Sequence, residues 1–189
     1  MRKVNKIVIH CTATKEGVNV SPATIKQWHL KRGFSDIGYH YIIGIDGKIN
    51  AGRPVSKQGA HVRSGNSDSI GLAYTGGLDL KGKGKDTRTE AQKNSLIKIL
   101  KVLKNIYPQA SIHGHRDYSP DKDGDGVEEH EYMKLCPCFN AELEYLDLQP
   151  KSFKPKTKQV KDKLNGKKTK WIWKDAGRIR KQTSTRTNL

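Results

Sequence analysis

Short apolar runs alternate with helix-forming stretches over the first 146 residues, and this alternation is the feature that most constrains the fold. The runs are too short for ordinary helices and are rich in β-branched or aromatic residues, so they predict buried strands at residues 4–9, 39–45, 69–75 and 110–113. Asp46-Gly47 follows the second run and predicts a hairpin turn into a strand at residues 48–51.

Three stretches between and after these runs have helix signals. Leu and Ile recur at three- and four-residue steps across residues 89–107, and Pro108 ends the pattern. Ser21-Pro22 supplies an N-cap and a first-turn proline for an earlier helix that Gly33 ends, and residues 139–146 are a third helix candidate. We therefore expect an α/β fold with a central mixed β-sheet flanked by helices.

The charge of the chain is concentrated near its C-terminus. Residues 150–189 hold fourteen Lys or Arg and two Asp, so they carry +12 of the formal net charge of +17. We predict a folded domain at 1–149 and a basic, flexible extension at 150–189, in which Trp171-Ile172-Trp173 is the one aromatic cluster. Such an extension favours an anionic partner, and we expect contact with anionic polymers of a cell envelope.

Several classes of protein are disfavoured by composition. No apolar run reaches the eighteen residues of a membrane span, and His10 interrupts an N-terminal run too short for a signal peptide, so we expect synthesis in a cytoplasm without a Sec signal. The three cysteines, Cys11, Cys136 and Cys138, are an odd number without framework spacing, which favours reduced thiols and metal ligation over disulfides. We expect a monomer.

Three residues far apart in the sequence have the chemistry of a zinc site. His10 ends the first apolar run, His115 closes Ser111-Ile112-His113-Gly114-His115, and Cys136 lies before Pro137. Two imidazoles and a thiolate leave one position of a tetrahedral zinc ion open, as in catalytic sites. From the residues alone, His113 competes with His115 for this role, and Cys138 is an alternative to Cys136.

Five sequence blocks resemble the zinc-dependent N-acetylmuramoyl-L-alanine amidases, the type-2 amidases related to phage T7 lysozyme and the peptidoglycan recognition proteins. The blocks occur in the family's order over residues 4–147. They are His10-Cys11-Thr12-Ala13-Thr14, Gly38-Tyr39-His40-Tyr41-Ile42-Ile43, His61 with Gly65-Asn66 and Ser69-Ile70-Gly71, Gly114-His115-Arg116-Asp117, and Lys134-Leu135-Cys136-Pro137.

The resemblance implies one zinc ion held by His10, His115 and Cys136, with Tyr39 and Lys134 at positions of catalytic assistance. It also implies hydrolysis of the amide between N-acetylmuramic acid and L-alanine of the stem peptide, as in a phage or prophage endolysin acting on bacterial peptidoglycan at the cell wall. His61 and Asn66, from the third block, are expected to line the substrate groove, with an ordinary loop role as the alternative.

The residue chemistry is consistent with this reaction. Bound zinc produces hydroxide near neutral pH and polarises a carbonyl. The oxyanion that follows needs donors, which Lys134 and the Tyr39 hydroxyl can supply. No Glu base accompanies a His ligand as it does in HExxH peptidases, so we expect zinc, Tyr39 and Lys134 to share the work, without a separate role assigned to either side chain.

Residues 121–126 form an acidic segment between two of the proposed zinc ligands. Asp121, Asp123 and Asp125 alternate ahead of Gly126, as in the first half of an EF-hand calcium loop. The twelfth position is Tyr132 in place of the bidentate Glu, although Glu128, Glu129 or Glu131 could substitute. The segment is a candidate Ca²⁺ site, and a solvated acidic turn is the alternative.

Two other functions compete with amidase activity. A non-catalytic peptidoglycan-binding module would share the fold, but loss of the Cys ligand would mark such a protein, and Cys136 is present. A nucleic-acid-binding protein would use the basic extension, but the sequence has no recognisable nucleic-acid-binding fold, so nucleic acid is not expected as the main partner.

Overall fold

A computed structural model describes residues 2–164, which form seven strands and four α-helices. The strands are β1 (Lys6–Cys11), β2 (Thr14–Lys15), β3 (Tyr41–Ile43), β4 (Ile49–Ala51), β5 (Ser69–Tyr74), β6 (Gly77–Leu78) and β7 (Ser111–Gly114). The helices are α1 (Pro22–Lys31), α2 (Glu90–Ile106), α3 (Ala141–Glu144) and α4 (Lys158–Leu164), and short 3₁₀ helices follow β7 and α3. The Trp171-Ile172-Trp173 cluster lies outside the described residues.

Five strands form one mixed sheet in the order β4-β3-β5-β1-β7. β1 lies between β5 and β7 and is parallel to both, whereas β4 is antiparallel to β3 and returns through the predicted Asp46-Gly47 turn. The remaining pair, β2 and β6, forms a small two-stranded sheet. The prediction of an α/β fold with a central mixed sheet is confirmed.

The two faces of the sheet bury different sets of side chains. Ile7 and Ile9 of β1 pack with Leu96 and Leu100 of α2 in the larger core. Ile42 of β3 packs with Ile25 of α1 in a smaller core. Because side chains alternate along a strand, His10 lies on the opposite face from Ile9 and α2.

Element types are predicted better than their ends. The predicted strand at 39–45 is too long, because only Tyr41–Ile43 pairs as strand and Tyr39 and His40 precede it. The predicted helix at 139–146 is also too long, because the Asn140 side chain caps the Leu143 N–H and the α-helix covers only Ala141–Glu144 before a 3₁₀ turn. By contrast, the capping box at Thr89 starts α2 within one residue of its predicted beginning.

The lysine- and glycine-rich segment 79–88 ends at a buried arginine, Arg88. The guanidinium of Arg88 pairs with Asp86 and Glu144 at 2.7 Å each, and it lies 3.3 Å from the centroid of the Phe139 ring. The side chain of Arg88 is only 2% exposed, so these partners compensate a charge removed from water. Arg88 therefore attaches this segment to α3.

The described part of the basic extension, residues 150–164, lies against the domain. The buried carboxylate of Glu142 accepts hydrogen bonds from the Lys156 and Thr157 N–H groups at 3.0 and 3.1 Å. Val160 of α4 is fully buried, and Asn140 donates to Gln159 at 2.6 Å. The division of the chain at residues 149 and 150 stays a prediction. Within residues 2–164, no helix is long and apolar enough to cross a membrane.

Candidate metal centre

Parallel pairing brings His10 and His115 together although 105 residues separate them. Ile9 of β1 is in register with Gly114 of β7, so the next residue of each strand emerges at the same edge of the sheet. β7 ends at Gly114 and a 3₁₀ helix begins at His115, with the Gly114 N–H donating to Asp117 Oδ2 at 2.6 Å. This turn directs the His115 ring toward His10.

Cys136 reaches the same edge on a loop that is held from three sides. Its carbonyl accepts from the Arg116 N–H at 2.7 Å, which ties the loop to the turn bearing His115. The hydroxyl of buried Tyr74 donates to the Pro137 carbonyl at 2.7 Å. A side chain at Gly114 would place its Cβ 2.7 Å from Pro137 Cδ, so this approach requires glycine.

The three side chains present their metal-binding atoms to one point. His10 Nδ1 lies 3.1 Å from His115 Nδ1 and 3.8 Å from Cys136 Sγ, and each of the three residues offers one ligand atom within 4.8 Å of the others. Tetrahedral zinc would separate two nitrogen ligands by about 3.3 Å, and a nitrogen from a sulfur by about 3.6 Å. The spacing and the donor types therefore fit a zinc ion.

Burial keeps the two imidazoles neutral. Removal from water, with the nearby charge of Lys134, lowers the pKa of His115 to about 4, and burial together with His115, His61 and Lys134 lowers the pKa of His10 well below its usual value. Neutral rings are the form that binds metal. The Cys11 N–H donates to Cys136 Sγ at 3.2 Å, so a backbone donor holds the sulfur beside the two rings.

The structure separates His113 from this cluster. Side chains two residues apart on a regular strand share a face, but the strand ends between His113 and His115. His113 Nδ1 lies 2.6 Å from Glu142 Oε1, and its Nε2 lies 2.7 Å from the Ser111 hydroxyl. Both ring nitrogens are thus engaged in the core, and His115 is the histidine placed beside His10.

The other two cysteines lie next to the cluster without joining it. The Sγ atoms of Cys11 and Cys138 are 4.0 Å apart, and Cys138 Sγ donates to the Gly77 carbonyl at 3.2 Å. Hydrogen bonding to Cys136, with burial, raises the pKa of Cys11 to about 12, so Cys11 remains a thiol. Of the three cysteines, Cys136 is the one grouped with His10 and His115.

Tyr39 and Lys134 flank the cluster in different environments. The Tyr39 ring centroid lies 5.2 Å from that of His10, and burial raises the pKa of its hydroxyl, which stays protonated as a donor. Lys134 is exposed, yet its charge lowers the pKa values of both His10 and His115. The positive charge of Lys134 therefore lies near the cluster.

His61 and Asn66 are engaged with the protein itself. His61 Nδ1 lies 3.1 Å from His10 Nε2, and its other ring nitrogen lies 3.3 Å from the Ser69 hydroxyl. Asn66 Oδ1 accepts from the His61 and Val62 N–H groups at 2.8 and 2.9 Å. A substrate-binding role for either residue stays a prediction, whereas their role in building this loop is visible.

The acidic segment 121–126 is close to basic residues of α4. Carboxylate oxygens of Asp121, Asp123 and Glu131 come within 4.8 Å of one another, but Asp125 pairs with Lys158. Both Glu131 oxygens accept backbone N–H groups, from Lys122 at 2.7 Å and from Glu128 at 2.9 Å. These bonds close the loop through protein groups, and calcium binding at Asp121, Asp123 and Asp125 stays a prediction.

Comparison with known proteins shows the family of the chain. Residues 1–137 match the family model described as N-acetylmuramoyl-L-alanine amidase, and the chain belongs to this family. The endolysin of Enterobacteria phage K11 is 36% identical over 141 residues, which are 75% of this chain and 85% of that protein. The endolysin of Escherichia phage T7 is 38% identical over 134 residues, covering 71% and 80%. The predicted family and enzyme class are confirmed.

Solved structures are similar over most of the described residues. The N-acetylmuramoyl-L-alanine amidase LysC from Clostridium intestinale has a TM-score of 0.58 and 28% identity, covering 86% of each chain. The bumblebee peptidoglycan recognition protein PGRP-SA, at 20% identity, has a TM-score of 0.59 and covers 78% of this chain and 83% of its own. The second likeness concerns the fold alone.

The buried histidines predict that the metal-free protein loses stability in mild acid. Burial lowers the folded-state pKa values of His29, His40 and His115 to about 4 and of His61 to about 3, and that of His10 also falls. Between about pH 6.5 and its folded-state pKa, each such histidine is protonated in the unfolded chain but neutral in the folded protein. As the pH falls through this range, each therefore lowers the free energy of unfolding by up to about 1.4 kcal/mol per pH unit.

Asp117 opposes this trend, because burial and the neighbouring charge of Glu142 raise its folded-state pKa to about 7. The five histidines together outweigh this one carboxyl group. Urea unfolding of chelator-treated protein at pH 6.5, 5.5 and 4.5 measures the slope. His29→Gln should make the slope shallower. An unfolding free energy that is constant or rises toward pH 4.5 would contradict the prediction.

Proposed function

We propose that this chain is a zinc-dependent N-acetylmuramoyl-L-alanine amidase that cleaves stem peptides from the glycan strands of bacterial peptidoglycan, in the manner of a phage endolysin. The observation that carries the proposal is the convergence of His10 Nδ1, His115 Nδ1 and Cys136 Sγ at the edge of a sheet, in a chain of this family. Three protein donors leave a tetrahedral ion one position for water or substrate, which suits catalysis better than a structural role.

Zinc held by His10, His115 and Cys136 would supply a Lewis acid and would lower the pKa of a bound water to about 7. The protein prepares for this chemistry in two ways. It keeps both imidazoles neutral by burial, and it supplies the Cys11 N–H to the Cys136 sulfur. The same N–H bond withdraws charge from the thiolate and so moderates its donation.

Tyr39 is assigned to hydrogen bonding near the scissile amide. Its hydroxyl stays protonated at neutral pH because burial and the proximity of Cys136 and Cys11 raise its pKa. A neutral phenol can orient the attacking water or donate to the carbonyl oxygen, and it adds no charge to the site. Contacts of its ring with the rings of His10 and His29, each at 5.2 Å, limit its movement.

Lys134 is assigned to stabilising the oxyanion. Its position two residues before Cys136 tethers the ammonium group beside the metal centre, and its exposure leaves the side chain free to follow the reacting carbonyl. A positive charge aimed at a developing negative charge contributes more in the transition state than in the ground state. Lys134 is therefore expected to affect kcat more than metal affinity.

The substrate and the site of action follow from the same assignment. Peptidoglycan is the polymer that contains the lactyl-peptide amide, so the enzyme acts at the bacterial cell wall. The basic residues after 164 are proposed to hold the enzyme on anionic envelope polymers by charge. The protein is proposed to act as a monomer after synthesis in the host cytoplasm.

Cys136→Ala should abolish both zinc binding and amidase activity, because it leaves two imidazoles for the ion. Cys138→Ala is the matched control, since it removes a thiol two residues away that does not face the cluster, and it should retain zinc and activity. Metal analysis and mass spectrometry of digested peptidoglycan give the two readouts. Full activity of Cys136→Ala, or products that are glycan fragments with intact lactyl-peptide bonds, would overturn the proposal.

Lys134→Ala should keep its zinc and lose rate, by about 2.7–4 kcal/mol in the activation free energy if it acts as one oxyanion donor. Steady-state kinetics on a soluble muropeptide, with zinc content measured on the same sample, tests this. Lys122→Ala is a control that removes an exposed lysine from the neighbouring acidic segment. A Lys134→Ala enzyme with the wild-type kcat would refute the assigned role.

Removal of residues 165–189 should reduce lysis of whole cells more than turnover of soluble muropeptide. The cut falls after α4, because Thr157 and Val160 are buried against the domain and a shorter chain would expose their partners. The difference between the two substrates should shrink as salt is raised, since charge attraction is screened. Equal losses on both substrates at low salt would argue against envelope attraction.

A further inference from the structure

We infer that His61 and Ser69 form a hydrogen-bonded relay that fixes the tautomer of His10 and leaves its Nδ1 unprotonated toward the metal centre. The inference rests on the proposed zinc site, and it gives His61 a positioning role in place of, or besides, a substrate contact. The relay is defined here as the chain of contacts from His10 through His61 and Ser69 to the Gly65 carbonyl.

Three short contacts build the relay. His10 Nε2 lies 3.1 Å from His61 Nδ1, and His61 Nε2 lies 3.3 Å from the Ser69 hydroxyl. The hydroxyl donates to the Gly65 carbonyl at 2.5 Å. His10, His61 and Ser69 are 1%, 8% and 0% exposed, so the contacts are protected from competing water.

The direction of every hydrogen bond follows from the carbonyl end. The Gly65 carbonyl can only accept, so the single proton of the Ser69 hydroxyl is directed to it. Ser69 must then accept from His61, which places the His61 proton on Nε2. A neutral imidazole has one N–H, so His61 Nδ1 accepts in turn and the proton of His10 lies on Nε2. His10 Nδ1 therefore keeps its lone pair.

That lone pair belongs to the atom at the centre of the cluster. His10 Nδ1 is the nitrogen 3.1 Å from His115 Nδ1 and 3.8 Å from Cys136 Sγ. In the apoprotein, the close approach of His10 Nδ1 and His115 Nδ1 requires a proton on one of them. Because the relay leaves His10 Nδ1 without a proton, that proton lies on His115 Nδ1. Zinc uptake should consequently change the protonated nitrogen of His115 and leave that of His10 unchanged.

The ring of His61 is held in place by its surroundings. Asn66 Oδ1 accepts the N–H groups of His61 and Val62, which fixes the backbone that carries the ring. A Cβ added at Gly59 or at Gly71 would lie 2.5 Å from His61 Cδ2, so both glycines make room for the ring. A fixed ring can hold His10 in one orientation, as partners of metal-binding histidines commonly do.

Nuclear magnetic resonance can read the tautomers without any substitution. Long-range ¹H–¹⁵N spectra of the imidazoles in chelator-treated protein, and then with one equivalent of zinc, distinguish Nδ1–H from Nε2–H. We expect His10 and His61 as Nε2–H in both samples, and a change at His115 alone. A His10 ring with its proton on Nδ1 in the apoprotein would overturn the inference.

Two variants test the consequence for metal binding. His61→Leu removes the acceptor of the His10 proton and should weaken the zinc Kd by about 10–100-fold, the usual cost of losing such a partner. Ser69→Ala should act in the same direction by a smaller factor. Ser95→Ala is the matched control, because it removes a serine-to-glycine-carbonyl bond of 2.6 Å, from Ser95 to Gly47, that involves no histidine.

Competition with a chromophoric chelator at pH 7 measures the Kd, and thermal unfolding confirms that each variant is folded. Unchanged affinity in folded His61→Leu and Ser69→Ala would overturn the relay. If His61→Leu does not fold, Ser69→Ala and the wild-type spectra decide. A wild-type protein that binds no zinc and cleaves no amide would instead refute the proposed function, and the apoprotein spectra would still decide the tautomer of His10.

Discussion

The parallel register between β1 and β7 is the constraint on which the site depends. Ile9 opposite Gly114 is the last pair between the two strands, and it fixes where His10 and His115 meet. The turn at His115 then holds the Cys136 loop through one backbone hydrogen bond, from the Arg116 N–H. A one-residue slip would direct His10 to the face covered by α2 and dismantle the cluster.

The site joins a rigid half to a more exposed half. His10 and His61 are buried within the sheet and the loop behind it, whereas Cys136 and Lys134 lie on a loop that reaches solvent. Metal binding requires fixed donors, because misplaced ligands lose affinity. His10 is fixed by burial, and Cys136 is fixed by the backbone hydrogen bond from Arg116 to its carbonyl. The role proposed for Lys134 concerns a charge that would develop during reaction, and an exposed position is compatible with it.

The sequence was sufficient for the fold class, the family and the grouping of His10, His115 and Cys136. Each of these depends on local patterns: strand periodicity, helix caps and the order of five short blocks. It was not sufficient for Arg88, which looks like part of a polar loop until Glu144 and Phe139 are seen beside it. Nor could it predict that the Glu142 carboxylate accepts hydrogen bonds from the N–H groups of residues 156 and 157. Such partners are long-range side-chain contacts, which periodicity does not encode.

Asn66 and His61 make contacts within the protein that the motif match did not predict. The family resemblance predicts that both line a substrate groove, and this stays a prediction. In the structure, Asn66 accepts two backbone N–H groups of the loop, and His61 has a protein partner at each ring nitrogen. His61 is buried with a partner at each ring nitrogen, so it must break an existing contact before it can bind a ligand, which costs free energy. The contacts of this block therefore lie behind His10, on the side away from the exposed Lys134.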